Sequence, residues 1–551
     1  METNPEKITE WFEQKARDEF HELWDLMDID YDIWAMNPTP KKTGYDAGIY
    51  TKTKGHESDI VVTSNDLRVF SDKVCSTLAS SEMQIMISMA VAEGEDKRED
   101  IGKLERLLYF AFNSADERLR RLLLPPLRES GDWCAAVRGW RAGRFLVEQR
   151  GKDVIFNFTN WDPRWLVYEV GDNGLTKVGY KTFKSKESLG RWHFGATKKT
   201  NEFIEYWEYE DEEKIGNALV CDNKLVKEAE VLKIPSMPIV IMPVATRPPI
   251  ASKDGIKLKG YGESLFAADR DVNAVRNRFV SMIANHANRL ADQPLINYMA
   301  SNGIRIDGMT NDPGGVINLA MGENKIEPSP MKEIPQTVVG MMEWLSSQVE
   351  QGTLPKISVG TPAPSGTLYN LAQEAGNKVF NPQLRNLNNF YVDACRLVEE
   401  QLLAGGIKVE IQGEQKKEYY HYKVTPVDLK KPHIIKVEFT AKTPWTQMDT
   451  YQVAQMAQSL GLPEAWIHEN ILKLQDPKLV QDLLALEIYE HSSEGMMKRA
   501  VEVLMDRGYV KEADILVDKM DMMANQEAME SQGAMESQGA MAQPPPQGGV
   551  K

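Results

Sequence analysis

GYGESLFAADRDVNAVRNRFVSMIANHANRLADQP, residues 260–294, is the segment that organises the reading of this chain. Leu265, Ala268, Val272, Val275, Phe279, Met282, His286 and Leu290 recur at three- and four-residue spacing. That period predicts a long amphipathic helix beginning after Gly260-Tyr261-Gly262, with Glu263, Asp269 and Asp271 near its positive end. Pro294 ends it. A second stripe, Asn273, Asn277, Ser281, Asn285 and Asn288, is polar but uncharged. The outer face of a helix usually carries charge. The amide stripe therefore reads either as a plain solvated face or as a wet surface packed near another copy.

Downstream, LINYM and GVINLAM within 295–334 are strand-like and NDPGG is a turn. Pro335 then opens a shorter helix with Val338, Met341, Met342, Leu345 and Val349 on one face. Two helices thus flank a module of about forty residues, a helix–module–helix excursion from one domain. Next comes TLPKISVGTPAPSGT, residues 353–367, rich in proline and glycine, whose single charge is Lys356. A long helical pattern follows over 367–404. Pro382 interrupts it, Asn381 can cap a restart, and Gly405-Gly406 stops it.

Upstream, residues 5–27, 66–79 and 98–124 read as helices, the last ending at Pro125-Pro126. From about 143 to 243 the period changes to short β-rich runs, five or six antiparallel strands, and EVGDNGLTKV reads as a hairpin. Residues 407–411 and 417–440 return to strands, and 446–520 to short helices. The tail repeats AMESQG at 528–533 and 534–539 and ends in AQPPPQGG, a composition too poor in apolar residues to bury a core. The fold class is α+β.

The chain has 551 residues, 42 % of them hydrophobic, which is enough for several domains. A net charge of −16 argues against non-specific adhesion to nucleic acid or to an anionic membrane, but not against a protein that encloses DNA without gripping it. Cys75, Cys134, Cys221 and Cys395 lie far apart, so no zinc-ligand spacing exists and free thiols of a reducing compartment are expected. The N-terminus lacks the pattern of a signal peptide and no run of 18 apolar residues suggests a membrane span. No catalytic constellation emerges. GATKKT at 195–200 lacks the spacing of a phosphate loop, and His468-Glu469 has no second histidine at zinc-protease spacing. No cofactor or metal site is expected, and the chain does not read as an enzyme.

The order of elements resembles the portal proteins, or head–tail connectors, of tailed bacteriophages. GYGESLFAADRDVNAVRNRFVSMIANHANRLADQPLINY is similar to the entry into the family's first stem helix and the clip beyond it. TPAPSGTLYNLAQEAG is similar to the passage from tunnel loop to tunnel helix, and SNDLRVFSDKVCSTLASSE to the start of the wing. The resemblance covers most of 10–510 and implies the following map. Residues 1–261 and 407–445 build the wing, 262–293 and 335–352 the stem helices, and 294–334 the clip. Residues 353–366 form the tunnel loop, 367–406 the kinked tunnel helix, 446–520 a helical crown and 521–551 a disordered tail. It implies a ring, usually of twelve copies, at one vertex of the virion capsid. That ring passes double-stranded DNA and docks the terminase large subunit and then tail adaptors, among major capsid and scaffold proteins, with no membrane partner. On this map Lys356, Ser358, Thr361 and Ser365 belong to the tunnel loop of the DNA channel, and Asn381 and Pro382 kink the tunnel helix. Asn273, Asn277, Arg278 and Asn285 serve the stem and its subunit contacts. The alternative is another non-enzymatic virion or scaffold-associated head protein of similar layout.

Overall fold

The computed structural model describes residues 2–37, 60–89, 98–151, 153–172, 174–190, 194–195, 198–211, 214–244, 250–252, 255–258, 260–291, 295–299, 316–320, 325–328, 334–352, 366–415, 418–440, 444–461 and 493–506, with single positions 467, 471 and 517. The chain is α+β and divides into two compact units, Met1–Ala441 and Lys442–Lys551. In the second unit the helix Pro444–Ser459 packs Ala454 and Ala457 against Ile467 and Ile471.

The first unit is built from two layers of helix on sheet. Asn4 caps the helix Pro5–Lys15 by accepting a hydrogen bond from the Glu6 N–H, and Pro5 occupies the first turn, where its missing N–H costs nothing. This helix and its continuation His21–Trp34 bury Ile8, Phe12, Leu23, Trp24 and Met27 against Val167, Ile204, Tyr206 and Val220 of a six-stranded antiparallel sheet. The hairpin expected at EVGDNGLTKV is present, Leu166–Gly171 pairing with Gly174–Ser185. The largest core joins the helix Arg98–Arg121 to the far half of the helix Gly366–Ala404, with Phe112 and Tyr391 rings 5.1 Å apart. Strands Trp140–Arg150 and Asp153–Asn160 flank it on one side. On another lies a pair the sequence reading did not anticipate, Glu82–Met89 antiparallel to His433–Thr440. In EMQIMISM, Met83, Ile85, Ile87 and Met89 share one face, while Glu82, Gln84 and Ser88 share the other with Met86 as the one apolar exception, so the two-residue period is present. That face packs Ile85, Ile87 and Met89 into the core, and what local sequence does not give is the distant partner strand.

Several readings are revised. The region expected to hold five or six strands has nine among the described residues, in a three-stranded and a six-stranded sheet, and the helix read over 98–124 ends at Arg121. Two further differences bear on the packing. The long helix after Gly262 begins at Arg270, eight residues later. Its approach segment is captured by other backbone: Glu263 N donates to Val244 O at 3.2 Å and Leu265 N to Ala136 O at 2.9 Å. Gly262 permits that close approach, since a Cβ there would stand 2.4 Å from Trp140 Nε1. The second difference concerns Asn381 and Pro382. The helix Gly366–Ala404 runs through them as one element, so Asn381 caps no restart. Pro382 removes one helical donor, yet Gln383, Asn386 and Leu387 just beyond it are buried and pinned, and this packing outweighs the local preference.

The pin is a buried polar joint. Arg141 on its strand is 1 % exposed; its Nη2 donates to Asp132 Oδ1 at 2.6 Å and its Nε to Asn386 Oδ1 at 2.8 Å. Asn386 Nδ2 donates onward to Pro243 O at 2.8 Å, and Gln383 Nε2 to Ala135 O at 3.4 Å. Burial pushes the Asp132 carboxyl up, and Arg141 pulls it back down. Removing one partner of a buried pair strands the other charge, at about 3–5 kcal/mol. Asp132→Ala should therefore lose about that much stability in urea unfolding. A loss below about 1 kcal/mol would show that the joint does not hold the strand, the short helix and the long helix together.

Candidate functional site

The helix Arg270–Ala291 and the helix Gln336–Gly352 pack against each other. Between them in sequence lies a three-stranded sheet. Leu295–Met299 is its centre, parallel to Val316–Ala320 and antiparallel to Lys325–Pro328. Asn297 Nδ2 donates to Asn318 Oδ1 at 2.7 Å across the parallel pair, linking the two side-chain amides. The start of the first helix is tied to the body by a bidentate ion pair. Arg270 Nε and Nη2 donate to the two carboxylate oxygens of Asp30 at 2.6 and 2.7 Å.

The amide stripe of this helix is covered by the chain itself. An extended segment, Ile60–Ser64, lies along it. Ile60 N donates to Asn285 Oδ1 at 2.6 Å, Val62 N to Ser281 Oγ at 2.9 Å and Ser64 N to Asn277 Oδ1 at 2.9 Å. Asn285 Nδ2 returns a bond to Ile60 O at 2.8 Å. The match is one of periods. Two residues of extended chain advance about 6.7 Å, and four residues of helix advance about 6.0 Å. Every second N–H of the segment therefore meets every fourth side chain of the helix. The segment is held by its main chain, as a strand is in a sheet, with amide side chains standing in for a neighbouring strand.

This corrects the expectation that Asn273, Asn277 and Asn285 serve contacts between copies. All three are buried, and Asn277 and Asn285 are spent on Ile60–Ser64. The basic residues sort similarly. Arg270 pairs with Asp30, and Arg276 Nη1 donates to Asp66 Oδ2 at 2.6 Å. Arg278 is exposed and makes no ion pair among the described residues. Nothing in the sequence singled out Ile60–Ser64. The usable signal was its β-branched run opposite an uncharged amide stripe, two features far apart in the chain.

At the head of the ladder two acceptor oxygens, Asp269 Oδ2 and Asn273 Oδ1, are buried with no hydrogen-bond partner among the described residues. Burial pushes the Asp269 carboxyl up to about 6. The outer side of the helix pair is apolar instead: Val275, Met282 and Leu290 on one helix and Val339, Met341 and Trp344 on the other are exposed. Lys356, Ser358, Thr361 and Ser365 lie outside the described residues. Among the described residues no group of three or more His, Cys, Asp or Glu side chains could hold a metal ion, and no helix is long and apolar enough to cross a membrane. Neither a protein-family model nor a curated protein matches the chain.

Two outcomes are expected. Asn285→Ala removes both bonds to Ile60, so hydrogen exchange at the Ile60 amide should quicken about tenfold, the equivalent of about 1.4 kcal/mol; exchange unchanged from wild type would mean that the ladder does not hold the segment. The second concerns pH. The Asp269 folded pKa lies above its unfolded value, so the folded state binds the extra proton and stability falls as pH rises from about 4 to about 6. Asp269→Asn should flatten that fall and gain up to about 2–3 kcal/mol at pH 7. Parallel stability curves for the two proteins across this range would exclude a buried, proton-binding Asp269.

Proposed function

We propose that this chain is the subunit of a ring-shaped portal, the conduit for double-stranded DNA at one vertex of a tailed-phage capsid. One observation carries the reading: two mutually packed helices, Arg270–Ala291 and Gln336–Gly352, that enclose a small three-stranded sheet in sequence and turn apolar side chains outward. A subunit needs such a helix pair to line a channel, and the outward apolar residues need a neighbour to cover them. The element order around it is consistent with the same role. Helices and antiparallel sheets precede the excursion, the long helix Gly366–Ala404 follows it, and a second, helix-bearing unit comes last.

In this reading each part has a physical task. The helix pair is the stem, and residues 294–334 are the clip on which the terminase motor and later the tail adaptors dock. Residues 353–366 form the loop at the narrowest point. DNA sliding past a wall is slowed by each retained phosphate contact. A subunit of net charge −16, repeated around a ring, keeps phosphates off the wall. A loop whose single charge is Lys356 can touch the duplex without holding it. Closed rotational symmetry needs two different surfaces at each contact. With the amide stripe occupied internally, the exposed apolar residues of the helix pair are the stem's surface for its neighbours.

Negative-stain imaging of the purified protein should show rings with a central hole of at least roughly 20 Å, the width of B-DNA. A monodisperse monomer at high concentration and with scaffold protein present would overturn the reading. Deleting residues 355–364 should leave rings intact and impair DNA packaging or retention. Rings that package normally without those residues would remove the loop from the channel.

A further inference from the structure

The helix Arg98–Arg121 ends in a feature that folding alone does not explain. Leu122, Leu123 and Leu124 are 55 %, 93 % and 49 % exposed, and none belongs to a buried cluster. Leu124 N donates to Leu119 O and Leu123 N to Arg120 O, both at 3.0 Å, which closes the helix with a Schellman turn. The left-handed position of such a turn normally belongs to glycine, because a Cβ there crowds the following carbonyl. Here it is Leu123, at φ 58°. One residue thus carries both backbone strain and a nearly bare apolar side chain.

The turn is also held rigid. Pro125-Pro126 follow it directly, and Asp116 Oδ1 accepts from Leu127 N at 2.8 Å to start the helix Leu127–Trp133. A preorganised apolar projection loses little freedom when it is covered. Two arginines stand immediately before it: Arg120 is exposed, and Arg121 is 83 % exposed and 3.8 Å from Glu117, itself 58 % exposed, while Glu129 is exposed just beyond the turn.

We propose that Leu122–Leu124 form a docking knob that seats on an apolar, carboxylate-rimmed face of a second copy of this chain. Charge complementarity selects that occupant. A knob with two arginines immediately before it suits an acidic partner, and the chain itself carries a net charge of −16. It also supplies faces of the required kind. The helix Gln336–Gly352 contains no lysine or arginine and exposes Val339, Met341 and Trp344 beside Glu343. A knob on one surface and a socket on another make a heterologous contact, the kind that closes rings. The proposal rests on the ring reading above and assigns one of its contact surfaces.

The test compares the full-length chain with Leu123→Gly and with the double variant Leu122→Ser/Leu124→Ser. Assembly is followed by sedimentation velocity over a concentration series, and thermal unfolding is measured on the monomeric fraction. Leu123→Gly relieves the left-handed strain and removes an exposed leucine, so its monomer should melt at a higher temperature than wild type. Its assembly midpoint should nevertheless move to at least tenfold higher concentration, and the double variant should move the same way. A residue with a merely structural role would not raise one quantity while weakening the other. If both variants assemble at wild-type concentrations, the knob is overturned and the ring reading stands. If the wild type never assembles, both are overturned. If the leucines govern binding to phosphatidylglycerol vesicles while leaving assembly unchanged, the surface faces lipid and the proposal is wrong.

Discussion

Burying the guanidinium of Arg141 ties four elements of the first unit to one another. A cation that is 1 % exposed must find its acceptors inside the protein, and here they come from different elements. Asp132 supplies one from the short helix Leu127–Trp133, and Asn386 supplies another from the helix Gly366–Ala404. Asn386 then turns its own donors to the Met242 and Pro243 carbonyls on the neighbouring strand. The short helix, the long helix and two paired strands are registered at this point. The long helix can carry a proline because the residues after Pro382 are fixed by tertiary bonds.

The same economy governs the helix pair Arg270–Ala291 and Gln336–Gly352. A helix with amides on one face and apolar groups on the other would have two unsatisfied sides. The chain resolves the polar side internally by laying Ile60–Ser64 along Asn277, Ser281 and Asn285, and leaves the apolar side open. Ile60–Ser64 leads directly into the helix Asp66–Ser80, whose Leu67 is buried with Phe266, Ala136 and Val137. The ladder thereby fastens the helix pair to the body of the first unit along its length, while Arg270 and Asp30 fasten its start. What remains outward is suited to contacts between copies, as the ring reading requires.

Much of the architecture was legible in the residues. The period of 260–294, the hairpin at EVGDNGLTKV and the strands around NDPGG all follow from local spacing and turn chemistry, and each has its counterpart in the structure. The glycines of GYGES were legible as punctuation, but not as the clearance that lets this segment lie against Trp140. The pairing of the strand Glu82–Met89 was not legible, although its residues alternate, because its partner lies at the far end of the unit. The loop 353–365 stays a matter of composition, since it falls outside the described residues.

By itself, the sequence determined element type wherever one period dominated, the acidic charge, and the helix–module–helix order on which the portal reading rests. Only the tertiary structure decided what the polar side chains do. Asn277 and Asn285 looked like surface amides available to another copy, and they became rungs for the chain's own backbone. Pro382 looked like a break, and it became an interior residue of one helix. The physical reason is common to both. A side chain's period reports which face it lies on, whereas its partner is set by whichever distant segment folding brings there. Buried polar groups must be satisfied by that segment or not at all.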